Sequence, residues 1–156
     1  MTGTAHVDTF ARDRQPPRDQ WPELVFDLPE LRYPERMNCA SELLGGAIAR
    51  GQGDRVAIRS TDGLSWTYRE LEARANRIAQ LLVDDLGVVP GNRVLLRGPN
   101  SPMMAACWFA IMKAGAIAVA TMPLLRAKKL PDTVTTAQAS PPLRDSPLAQ
   151  ALDLAR

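Results

Sequence analysis

The chain has 156 residues, 46% of them apolar, which suits one domain with its own core. Its 19 basic and 17 acidic residues leave a net charge of +2 and form no block of like charge, so neither nucleic acid nor an anionic membrane surface has a footprint here. A histidine triad or a multi-histidine metal site is excluded, because His6 is the only histidine.

Residues 1–35 read as an irregular N-terminal extension. Pro16, Pro17, Pro22, Pro29 and Pro34 prevent long helices. Trp21, Leu24, Val25, Phe26, Leu28, Leu31 and Tyr33 argue for a strap lying across a folded body. The first residues carry no apolar segment after a basic start, unlike a secretory signal, and a cytoplasmic location is expected. Cys39 and Cys107 share no metal-ligand spacing, and each lies in an apolar stretch. They read as two buried free thiols in a reducing compartment.

Residues 36–156 read as a partial α/β domain. Asn38 or Ser41 caps a helix carrying Leu43, Leu44, Ala47 and Ile48, and Gly51 stops it. Val56–Arg59 and the segment from Ser65 are short strands joined by Thr61-Asp62-Gly63, a hairpin turn. Trp66 and Tyr68 set the edge of that hairpin and the start of the next helix.

Thr67 and Glu70 form a capping-box pattern that opens a helix over 68–86. Its apolar stripe is Leu71, Ala75, Ile78, Leu82 and Leu86, at spacings of 4, 3, 4 and 4. Arg93-Val94-Leu95-Leu96-Arg97 is a buried parallel strand. The turn Arg97-Gly98-Pro99-Asn100 follows, at the place where open sheets bind ligands, and it also suits a helix cap. Pro102 opens a helix through Cys107, Trp108 and Ile111, with Trp108 in the core beside Met103, Met104 and Met112. Gly115 ends it, and Ile117–Thr121 is a second strand. Strand, helix and strand make a βαβ unit. The apolar stretch from Met103 to Met122 is broken by Lys113 and Gly115, so no membrane helix is expected there.

The tail is less regular. A helix begins at Pro131, Ser140 to Pro147 is rich in turns, and Leu148 to Arg156 has a short helical pattern. Lys128 and Lys129 read as solvated.

The ordered segments from Asp54 to Leu130 resemble the start of the AMP-forming acyl-CoA synthetases, the adenylate-forming family. They are Arg55-Val56-Ala57-Ile58, Leu64 to Leu71, Ala75-Asn76-Arg77-Ile78-Ala79, Gly91 to Leu96, Pro99-Asn100-Ser101, Lys113-Ala114-Gly115-Ala116 and Met122-Pro123-Leu124-Leu125. The Trp-Pro-Glu of the leader and Ala120 to Arg126 are most similar to the benzoate-CoA and 2-aminobenzoate-CoA ligases.

The resemblance implies a two-step ligase. An aromatic or other carboxylic acid reacts with ATP and Mg²⁺ to give an acyl-adenylate, and coenzyme A then takes the acyl group. It places Arg126 near the coenzyme A or acyl channel, where it meets a phosphate or stays a solvated surface arginine. It supplies no catalytic residue and no metal ligand in this chain. The family's phosphate loop and catalytic lysine lie downstream of residue 156, and no G-x-x-x-x-G-K-[ST] is present. The chain therefore reads as 1–35, the extension, followed by 36–156, a truncated AMP-binding N-terminal subdomain inactive alone. Two adjacent prolines, Pro141 and Pro142, set the tail at 131–156 apart from the family pattern. The other reading is a non-catalytic interaction module or a gene fragment without function. Exposed strand edges and apolar helix faces would make the piece self-associate.

Overall fold

The computed structural model describes residues 5–34, 36–121 and 135–139. Met122 to Arg126, Lys128, Lys129, the helix start at Pro131 and the Ser140 to Arg156 tail lie outside the described residues.

The extension makes short contacts of its own, and its first residues also bond to the body at the Pro90 carbonyl. A single helical turn, α1 (Phe10–Asp13), starts where the Asp8 carboxylate accepts the Phe10 N–H at 3.0 Å. Two tight turns follow at Arg18–Gln20 and Pro29–Leu31. The Trp21 indole donates to the Pro16 carbonyl at 2.8 Å, and the Phe26 and Tyr33 rings meet edge to face. Residues 13–30 bury no side chain, so Trp21, Leu24, Val25, Phe26 and Leu28 remain exposed.

The body begins at Asn38, whose side chain serves two helix ends. Its Oδ1 accepts the N–H groups of Ala40 and Ser41 at 3.1 and 3.2 Å. Its Nδ2 donates to the carbonyls of Met112 and Lys113 at 3.0 and 3.2 Å. The helical segment 39–52 contains two wide turns, Ser41–Gly45 and Ile48–Gln52, and buries Leu44 and Ala47. Gly51, at φ 78°, breaks its backbone path. Two sequence expectations fail here. Leu43 is exposed, and so is Cys39, which occupies the solvent side of the helix start.

Strands β1 (Val56–Arg59) and β2 (Ser65–Thr67) pair antiparallel, with an irregular step between Val56 and Ile58. The Asp62 carboxylate accepts the Leu64 N–H at 3.1 Å and shapes the turn. Trp66 lies on β2 just before the next helix, as expected for the hairpin's edge, but its side chain turns inward. It is buried in the core, with the Arg74 guanidinium 4.2 Å from its ring centre.

Helix α2 (Tyr68–Gln80) begins at the expected capping box. Glu70 N–H donates to Thr67 Oγ1 at 3.2 Å, and Thr67 N–H donates to Glu70 Oε2 at 2.8 Å. Leu71, Ala75, Ile78 and Leu82 are buried as one stripe. Leu86 is not part of it. The helix ends in a wide turn, Leu81–Asp85, which holds more residues than an α-turn and rotates Leu86 out to solvent.

Strands β3 (Arg93–Arg97) and β4 (Ile117–Thr121) are parallel, in register from Arg93 opposite Ile117 to Arg97 opposite Thr121. Helix α3 (Pro102–Lys113) crosses between them and packs on α2. Val94 and Leu96 face this helix layer; the strand's period of two turns Arg93, Leu95 and Arg97 to the other face. Arg93 and Leu95 are buried there, so β3 is covered on both faces. Leu44, Leu71, Leu82 and Ile111 are the largest fully buried side chains, each worth about 1.5–3 kcal/mol against exposure.

Candidate functional site at the strand carboxyl ends

The register of β3 and β4 brings their carboxyl ends to one level, at Arg97 and Thr121. Crevices outside such ends are where open α/β sheets hold ligands. Ser101 caps α3 by accepting the Met104 N–H at 3.1 Å, with Pro102 at the first helical position. The 97–100 turn thus ends in a cap, and Asn100 is left exposed at the mouth.

Beside this turn lies an open hollow of about 380 Å³. Leu96, Ala120, Met104, Ala105 and Trp108 line it, and Asn100 and Ser101 form its polar rim. Its lining suits an apolar or aromatic group oriented by one amide. Trp108 is therefore not core, as its place in the sequence suggested. It is 44% exposed, edge-on to Phe109, and forms one wall. Helix α3 is apolar around its whole circumference, so periodicity could not tell its covered face from its open one. The hollow went unread for the same reason.

Cys107, on the covered side, is pushed up to about 11 by burial and stays a protonated, unreactive thiol. The Thr121 hydroxyl is buried and finds no hydrogen-bond partner among the described residues. Arg126, the coenzyme A candidate, lies outside them.

A second cleft, about 590 Å³, opens at the opposite, amino ends of the strands, between Ala5 and His6, Arg36 to Cys39, and Pro90 with 112–116. Among the described residues, no three His, Cys, Asp or Glu side chains gather to hold a metal ion. The one capping hydroxyl at the carboxyl-end site is committed to Met104. These residues do not fit Mg²⁺ and triphosphate, so no nucleotide step is derived from them. None of the described helices is long and apolar enough to cross a membrane.

A parallel βαβ unit with a helix layer on one face and an antiparallel hairpin beside it makes this an α/β protein. The chain belongs to the AMP-binding enzyme family, whose model matches residues 47–153. It is 37% identical over 91 residues to a 3-hydroxybenzoate--CoA/4-hydroxybenzoate--CoA ligase of Thauera aromatica, covering 58% of this chain and 17% of that protein. It is 43% identical over 88 residues to a salicyl-AMP ligase / salicyl-S-ArCP synthetase of Mycobacterium tuberculosis, covering 53% of this chain and 15% of the relative. Among solved structures, a benzoate CoA ligase from Burkholderia xenovorans LB400 aligns at a TM-score of 0.62 and 26% identity, over 77% of this chain and 24% of that one. The chain thus spans less than a fifth of the length of these two sequence relatives, and it corresponds to the amino-terminal region of an AMP-forming ligase.

Proposed function

We propose that this chain is the front of a ligase that activates an aromatic carboxylic acid. In the longer enzyme the carboxylate would displace pyrophosphate from ATP with Mg²⁺, and the thiol of coenzyme A would then displace AMP. Residues 36–156 would supply the βαβ layer and the acyl-side hollow, and residues 1–35 a strap. Arg126 would meet a phosphate of coenzyme A. The nucleotide chemistry would come from polypeptide beyond this chain, and residues 1–156 alone would not ligate. The cytoplasm would supply both ATP and coenzyme A.

The observation that carries this reading is the unbroken family match from residue 47 through both parallel strands. The aryl substrates in the names of the relatives support the aromatic acid. A second reading concerns only the thiol. The Mycobacterium relative is named for a carrier protein, which favours a carrier-bound thiol as the acceptor in place of coenzyme A.

The test starts with the native product in source cells, detected with an antibody against this segment. A product several times longer than 156 residues is expected, with ATP–pyrophosphate exchange stimulated by benzoate or hydroxybenzoates. A product of 156 residues, or a long one silent with every aromatic acid, would reject the ligase. Offering coenzyme A and a phosphopantetheinyl carrier separately decides the acceptor.

A further inference from the structure

We propose that residues 6–14 form a docking arm, and that Arg93 couples the seating of this arm to the seating of residues 135–138. The arm's seat is the turn that leads into β3. Val7 and Asp8 both donate their backbone N–H groups to the Pro90 carbonyl, at 2.9 and 3.0 Å. The Asp8 carboxylate accepts from Asn92 Nδ2 at 2.9 Å and pairs with the Arg93 guanidinium. That guanidinium lies 4.5 Å from the centre of the Phe10 ring, and Arg14 lies 3.7 Å from the same centre.

The turn is shaped to receive the arm. Gly91 has φ 92°, and a Cβ there would overlap the Asp8 carbonyl. Any other residue would both strain the turn and push the arm away.

The coupling comes from the other donors of Arg93. Its Nε donates to the Ala137 carbonyl at 2.9 Å and its Nη2 to the Gln138 carbonyl at 3.0 Å. Its Nη1 also reaches the Gly91 carbonyl at 3.1 Å. One buried, rigid fork therefore joins two other parts of the chain to β3, one 85 residues before Arg93 and one 44 residues after it. The planar fork has one orientation that serves all its acceptors. Losing the Asp8 charge frees it to turn, which loosens 137–138. The linkage is reciprocal. The arm also forms part of the wall of the 590 Å³ cleft at His6, so its release widens that cleft.

Hydrogen exchange by mass spectrometry on the whole chain, comparing wild type with Asp8→Ala, tests this. Asp8 lies on the arm outside the core, so the variant keeps the body as its own reference. The peptide with the Val7 amide should exchange about tenfold faster or more, the loss of a charge-assisted contact. The peptide covering 135–139 should speed up with it, and α2 should not change. Unchanged arm exchange would reject the seat. A released arm with 135–139 as slow as in wild type would reject the coupling. Loss of protection in α2, or fast labelling of the Cys107 thiol, would mean that the arm is part of the core, and would overturn both.

Discussion

Helices α2 and α3 lie side by side, yet their outer faces differ in kind. On α2, Leu71, Ala75, Ile78 and Ala79 are buried, while Arg69, Glu70, Asn76, Arg77 and Gln80 meet water. On α3, Ala106, Cys107, Ala110 and Ile111 are buried, and the remaining sides carry Met103, Met104, Ala105, Trp108, Phe109 and Met112. A polar outer face marks a helix at a permanent surface; an apolar one marks a helix meant for cover on more than one side. The short span of the relatives matched by this chain fits that difference.

Substitutions on the two helices should tell them apart. Ile111→Ala, at the buried contact between the helices, should cost about 2–5 kcal/mol in denaturant unfolding. A cost under about 1 kcal/mol would mean that the two helices are not one core. Thr67→Ala removes the α2 cap and should cost about 1 kcal/mol. Trp108→Lys, on the open side of α3, gives up the half-buried wall and the Phe109 contact and should cost about 1 kcal/mol, less than Ile111→Ala. Self-association of the isolated chain is expected, and sedimentation over a concentration series should show less of it in Trp108→Lys than in wild type. A large loss of stability would put Trp108 in the core after all.

The smallest effect concerns acid. Glu70 is held below the usual glutamate range, first by the Thr67 backbone N–H and then by the Thr67 hydroxyl. The stability it contributes is present above its unfolded value of about 4.3. That stability is lost as pH falls through the lower folded value. Glu70→Gln should therefore be slightly less stable than wild type at pH 7, and the difference should shrink as pH falls through the folded value, so that the acid limb of the variant is flatter.

What the sequence made legible follows the same division. The α2 stripe and its cap are local, periodic signals, and they appear as read up to Leu82. The strand–helix–strand unit was legible because short apolar runs stand between turn residues. Trp108 was misplaced because an all-apolar helix has no phase to read, and Leu86 because a wide turn shifts the count. Cys39 was taken as buried from its apolar neighbours, although a helix turns only about one residue in four inward, here Ala40 and Leu44. The pairing of Asp8 with Arg93 has no periodicity at all. It joins residues 85 apart, and only the fold reveals it. Of the candidate site, the turn after β3 was legible as a location, while its apolar wall was not.

Asn38 spends both ends of one amide, with its oxygen at the start of the 39–52 helix and its nitrogen at the end of α3. Hydrolysis of that amide to aspartate exchanges one atom for another of nearly equal size. The oxygen side would stay in service, but two carbonyls of α3 would then face a carboxylate. A slow chemical ageing reaction at this one residue would therefore cut the joint in one direction only. The first helix would remain nucleated, and α3 would be loosened from it.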